Sequence, residues 1–186
     1  MLELKDKHCG ETCYIIGKGN SIKKLSNDTI GEGFIIALNQ AIQVVEEVCY
    51  SNETYSMQKD GASPNIRDHC PCVEGEITEC PHDMVTPIYS TLLLHEHESK
   101  FCLPNYEKKI IFDAEQLNLY MFTPSVVCAI ELAKYMGAVS LKMIGFDSYT
   151  DDDNTNIIGK VDETYPTQRL AIDKALENIE YQFIRL

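Results

Sequence analysis

Two groups of residues in this chain have types and spacing that could do chemistry. Cys70 and Cys72, then Cys80 and His82 after seven intervening residues, form a Cys₃His set that a tetrahedral Zn²⁺ would accept. The Cys-x-Cys step bends the chain differently from the Cys-x-x-Cys of a standard knuckle, so a loop with free thiols stays open beside the zinc reading. The second group is polar and follows short apolar runs: Gly17, Lys18, Gly19, Asn20 and Ser21, then Asn39 and Gln40, then Gln58 and Asp60, then Asp147 and Tyr149. A Gly-x-Gly turn lets backbone amides approach a phosphate closely, and a buried amide such as Asn39 can donate and accept in fixed geometry. The structural alternatives are a tight turn at Gly17–Gly19 and a helix N-cap at Asn39. Asp151, Asp152 and Asp153, with Asp147, could hold Mg²⁺ on a diphosphate, or could simply form a solvated acidic loop. His95 and His97 alternate with Glu96 and Glu98 at the end of an apolar run and would place imidazoles at the same edge, or close the strand as surface polar residues.

These residues need a scaffold that brings the ends of apolar runs together. Strand-like runs occur at 12–16, 34–38, 54–57, 90–95, 109–112 and 140–144. Between them, 40–48 and 125–137 carry apolar residues at helical spacing. Pro124 precedes the second of these and Gly137 closes it. A last helix is expected over 166–183, from apolar residues at 170, 172, 175, 176, 179 and 183, with Tyr165 and Gln168 near its start able to face the cleft. Alternation of strands and helices predicts an α/β fold, a Rossmann-like and mostly parallel sheet with helices on both faces. The stretch 65–85, rich in Cys, His, Pro and acidic residues, reads as a small insertion in a single nucleotide-binding-type domain spanning 1–186.

The chain has 186 residues, of which 44% are hydrophobic and 24% charged, enough to build a core. The formal net charge of −13 argues against whole-surface binding to nucleic acid or anionic membrane. No apolar run approaches the roughly 20 residues that span a bilayer, and the first residues lack the pattern of a signal peptide. A cytoplasmic protein with reduced thiols is expected. Cys49, Cys102 and Cys128 then read as buried packing residues, and Cys13 in the loose His8, Cys9, Cys13 cluster reads the same way.

The order and spacing of Ile15-Ile16-Gly17-Lys18-Gly19-Asn20-Ser21-Ile22, Ala37-Leu38-Asn39-Gln40, Ser125 opening a helix that ends at Met136-Gly137, and Ile144-Gly145-Phe146-Asp147-Ser148-Tyr149 resemble the bacterial sialyltransferases that use CMP-sialic acid. They are similar also to the related 6-hydroxymethylpterin diphosphokinase-like proteins and to small phage-encoded chains. The resemblance covers about 150 residues. It implies that Gly17 and Gly19 line a nucleotide phosphate, that Asn39 contacts the nucleotide or phosphate, and that Ser125 approaches the donor sugar. Asp147 would sit by the nucleotide, and Tyr149 would hydrogen-bond the leaving phosphate.

Four positions depart from the family pattern. Asn20 stands where Pro is usual, Val126 where Gly is usual, and Gln58 where Asn or Asp is usual. Lys160 follows Ile158-Gly159 where the family has its basic His. A Lys must lose roughly three pKa units to act as a base near neutral pH, so His95 or His97 is the substitute candidate. Much of the lid and C-terminal portion of the sialyltransferases has no counterpart here, so a partner or a homo-oligomer would have to exclude water from an activated donor. The expected activity is that of a glycosyltransferase-like protein with a nucleotide or nucleotide-sugar ligand. The alternatives are an ATP- and Mg²⁺-dependent phosphotransferase and a non-catalytic nucleotide-binding module.

Overall fold

The computed structural model describes residues 2–58, 87–96, 106–119, 123–147 and 165–186. Its strands are β1 (Thr12–Ile16), β2 (Phe34–Leu38), β3 (Thr54–Gln58), β4 (Thr91–His95), β5 (Lys109–Phe112), β6 (Ser140–Ile144) and β7 (Glu180–Ile184). The helices among the described residues are α1 (Ala41–Val48), α2 (Ser125–Tyr135) and α3 (Tyr165–Ala175). All seven strands join one sheet in the order β5-β4-β3-β2-β1-β6-β7, and every pairing is parallel. The sheet is thus wholly parallel, an α/β architecture of the Rossmann-like kind.

Parallel strands covered on both faces must be apolar throughout, and β2, FIIAL, is buried at all five positions. The side-chain period of two then divides the core. Cys13, Ile15, Phe34, Ile36 and Met143 pack on one face under α2 and α3, whereas Tyr14, Ile16, Ile35, Ala37 and Ile144 pack on the other under α1. Each fully buried Ile or Leu contributes about 1.5–3 kcal/mol, so both layers stabilise the sheet substantially.

α2 begins after Pro124, whose fixed φ suits the entry, and ends in paired 6→1 and 5→2 bonds: Ala138 N–H donates to Ala133 O at 3.0 Å and Gly137 N–H to Lys134 O at 2.9 Å. Gly137 has φ +92°, and a Cβ there would lie 2.8 Å from Cys9 Cα, so glycine is needed both for the turn and for the contact. No described helix is long and apolar enough to cross a membrane.

The helix expected over 166–183 is corrected. It stops at Ala175, and 180–184 form β7 instead. The Lys134 ammonium donates to the carbonyls of Ala175 and Glu177 and so satisfies the helix end. Asn178 then turns the chain at φ +65°. From Ile179 onward the apolar residues alternate, and they pair along β6 with Leu141 opposite Tyr181 and Met143 opposite Phe183. The insertion at 65–85 lies outside the described residues.

A buried carboxylate fixes the entry to β4. Glu46, in the last turn of α1, accepts hydrogen bonds from the backbone N–H groups of Ile88 at 2.7 Å, Tyr89 at 3.0 Å and Ser90 at 2.9 Å. Tyr89 Oη donates to the carbonyl of Glu46 itself, which closes the contact. Glu46→Ala would leave these amides without their acceptor, at about 1–3 kcal/mol for each one that stays buried. A loss of about 2–4 kcal/mol in urea unfolding is expected, and a loss below 1 kcal/mol would show that water replaces the carboxylate.

Cys13, Cys49 and Cys128 are buried, as expected, while Cys9 is exposed. Cys102 lies outside the described residues. Burial pushes the Cys49 thiol up to about 11 and the Cys13 thiol well above the ordinary range. The thiolate is the nucleophile, so alkylation of the native protein followed by peptide mass spectrometry should label Cys9 while sparing Cys13, Cys49 and Cys128 until urea is added.

Candidate functional site

The strand order reverses at β1. The chain leaves β1 toward β2, β3, β4 and β5 on one side, then returns through α2 to β6 on the other. In open parallel sheets the connections on the two sides of such a point diverge, and a crevice opens beyond the carboxyl ends of the strands. Gly17–Ser21 and Gly145–Asp147 follow the two strands that meet there.

Their backbones touch. Gly17 N–H donates to Ile144 O at 2.7 Å, and Gly19 N–H donates to Gly145 O at 2.8 Å. A Cβ on either Gly17 or Gly19 would lie 2.6 Å from Gly145 O. Gly145 itself has φ +75°, and its own Cβ would fall 2.3 Å from Ile22 Cγ2 and 2.8 Å from Gly17 O. The three glycines are therefore a backbone joint between β1 and β6. The amides of Gly17 and Gly19 are used in that joint, so a phosphate in the crevice would have to be held by other groups.

The joint delivers Asp147 to Ser21. The nearly buried Asp147 carboxylate accepts the Ser21 N–H at 2.7 Å and the Ser21 hydroxyl as well. Asn20, half-buried, has its Oδ1 enclosed with no donor to it among the described residues. Lys18, also half-buried, stands between the two glycines.

On the next strands Asn39 and Gln58 form a second linked pair. Asn39 adopts φ +51°, a left-handed conformation that Asn tolerates better than most residues, and this is what turns β2 into α1. Its N–H donates to Met57 O at 2.9 Å, and its carbonyl accepts Gln58 Nε2–H at 3.0 Å. Gln58 Nε2 also donates to Ser56 Oγ at 2.9 Å. Gln58 is the last residue of β3 and not the first beyond it, and it is almost wholly buried. The cap position of α1 is Gln40, buried and without a side-chain capping bond, so Asn39 acts through its backbone conformation and not as a side-chain cap.

Ser125 is buried in the first turn of α2. Because α2 leads into the start of a parallel strand it runs opposite to the sheet, which puts Ser125 and the helix N-terminus at the carboxyl edge. His95 ends β4, buried, with its ring edge-on to Phe112 at 5.3 Å. Across that edge the strand ends run Asp147, Gly17, Asn39, Gln58 and His95 over β6, β1, β2, β3 and β4. At about 4.8 Å per strand, His95 stands roughly 19 Å from the β6 end.

His97, Tyr149, Lys160, Asp60 and the acidic run 151–153 lie outside the described residues, as do Cys70, Cys72, Cys80 and His82. Among the described residues no group of three His, Cys, Asp or Glu side chains is placed to hold a metal ion. Gly145 belongs to the Ile144–Tyr149 motif, in which the sequence analysis gave it no role. Its signal was the pairing of a glycine after β6 with a Gly-x-Gly after β1, which permits two backbones to meet.

The order of elements defines the class, a doubly wound α/β protein whose strand order reverses at β1. No protein-family model matches the chain, and no curated protein matches it in sequence.

The joint can be tested by one substitution and its control. Gly145→Ala adds a Cβ against Ile22 and Gly17 as well as an unfavourable left-handed residue, and should lose about 2–4 kcal/mol in urea unfolding. Gly10→Ala, at φ +85° with open space around its Cβ, should lose only about 1 kcal/mol. Equal losses would mean that φ alone decides and that the contact is unimportant.

Proposed function

We propose that the carboxyl edge of the sheet binds a nucleotide sugar, and that the protein is a sialyltransferase-like glycosyltransferase. The observation that carries this reading is the meeting of Gly17–Ser21 with Asp147 at the strand-order reversal, flanked by Asn39 and by the N-terminus of α2. Asn39 and Asp147 would contact the nucleoside, Ser125 the donor sugar and Tyr149 the leaving phosphate. With the Gly17 and Gly19 amides already used, the α2 N-terminus and Lys18 are the groups of suitable sign for the phosphate. The proton acceptor would come from His95, His97 or Lys160. A donor that reaches both Asp147 and His95 has to extend over most of the row, which suits a nucleotide joined to a sugar better than a free nucleotide.

The Mg²⁺-dependent phosphotransferase alternative is the weaker of the two. Asp147 already accepts two hydrogen bonds from Ser21, which leaves less of its carboxylate for a hard cation.

Thermal unfolding against CMP, UDP and GDP, their sugar conjugates, and ATP with and without Mg²⁺ tests the reading. A ligand at a hundred times its Kd stabilises by roughly 2.7 kcal/mol, a clear rise in Tm. A metal-independent rise with a nucleotide sugar is expected. It should disappear in Asn39→Gly, which keeps the left-handed turn but removes the amide. A rise only with ATP and Mg²⁺ would transfer the proposal to phosphotransfer, and no rise with any of them would end both.

A further inference from the structure

β7 is the last strand on the β6 side of the sheet, and no described element pairs with its outer side. Its five residues follow β6 in regular register, from Ser140 opposite Glu180 to Ile144 opposite Ile184. Gly17 N–H donates to Ile144 O, so Ile144 turns its backbone groups toward β1. Successive residues of a strand bond to opposite sides, which sends the groups of Leu141 and Met143 to β7. There they meet residues 180, 182 and 184, on either side of their partners Tyr181 and Phe183. The N–H and C=O of Tyr181 therefore point out of the sheet, and among the described residues no group bonds them. Glu180, Tyr181 and Gln182 are all exposed, Tyr181 at 47%.

An open strand edge is a template for another strand, and chains that stay monomeric guard it with Lys, Pro or a bulge. β5, at the opposite edge, is preceded by Lys108 and opens with Lys109. β7 has no Lys, no Pro and no break in register. Its sequence is instead complementary to itself when two copies run antiparallel about a two-fold axis at Tyr181. Tyr181 then lies opposite its own copy, and Glu180 lies opposite Gln182 of the second copy, once on each side of the axis. A carboxylate accepts and an amide donates, so this pair is matched in both places. Just outside the strand, the same direction sets Glu177 of one copy toward Arg185 of the other, again with opposite charges. A parallel mate in register would set Glu180 beside Glu180 and Arg185 beside Arg185.

We propose that the protein forms a two-fold dimer through β7, in which the two sheets join edge to edge into one. Tyr181 exchanges N–H···O bonds with Tyr181 of the second copy. These main-chain bonds supply the affinity, and the two Glu180–Gln182 pairs fix the register. The exposed stretch is only three residues long, so the contact belongs at the small end of interface size and depends on concentration. β7 stands two strands from β1, so the dimer does not involve the β1–β6 junction and is independent of the ligand proposed there.

Sedimentation velocity of the full chain over roughly a hundredfold range of concentration should show a monomer passing to a dimer. Hydrogen exchange of the Tyr181 amide should slow as the dimer fills. Tyr181→Pro removes the outward N–H at a position where an edge strand tolerates proline, and should stay monomeric throughout. If that variant does not fold, two exposed substitutions serve. Gln182→Glu sets a like charge opposite Glu180 and should weaken the dimer about fivefold, whereas Gln182→Lys sets an opposite one and should tighten it about fivefold. Lys108→Gln, the same change of net charge as Gln182→Glu but at the far edge of the sheet, should leave the dimer as it is. A chain that is monomeric at every concentration, a dimer that persists in Tyr181→Pro, or a dimer indifferent to the charge at position 182 would overturn the inference.

Discussion

The position of β1 between β2 and β6 depends on three glycines. A central parallel strand must pair on both sides, yet the segments leaving β1 and β6 at the carboxyl edge have to separate toward different destinations. Here they first cross in backbone contact, with Gly17 and Gly19 donating into the end of β6 while Gly145 turns left-handed beneath them. Any side chain at these points would push the two strands apart by more than the few tenths of an ångström that a close-packed interior tolerates. The contact brings the Asp147 carboxylate to Ser21 before any ligand is considered.

The polar groups at the two edges are managed differently. At the amino edge Glu46 takes up three amides and His8 is bound by Glu11 and Tyr55, while the Ser90 hydroxyl is enclosed without a partner among the described residues. Such networks are worth having only when complete, because an unmatched buried donor or acceptor costs about as much as a good bond contributes. At the carboxyl edge the matching is partial. Asp147 with Ser21, and Gln58 with the Asn39 carbonyl, hold the backbone in place, while Asn20 Oδ1 is enclosed without a donor.

Most of the sheet was legible in the sequence because strands buried on both faces read as unbroken apolar runs, and TCYII, FIIAL and SLKMI are hard to take for anything else. The C-terminal strand was not. Apolar residues at 172, 175, 176, 179 and 183 satisfy a helical spacing across the break, and only the left-handed Asn178 and the support of Lys134 mark where one period gives way to the other. An edge strand with Glu180, Tyr181 and Gln182 exposed also lacks the apolar continuity of a central one. Within the site, the residue types at the strand ends were readable, but their duties were not. Asn39 was legible as a polar strand end, whereas its left-handed backbone depends on how β2 meets α1. Glu46, in the last turn of a short helix, looks like a solvated residue until 88–90 fold over it.

This contrast bears on where a ligand would bind. A molecule entering the amino edge would have to displace bonds that the protein makes to itself, at Glu46 and around His8, and would gain little by replacing them. At the carboxyl edge the strand reversal separates the chain connections, and the α2 N-terminus presents backbone N–H groups. A ligand there adds bonds instead of exchanging them. That difference in free energy, and not the presence of glycines alone, is the physical reason why the proposed ligand is placed at the β1–β6 junction.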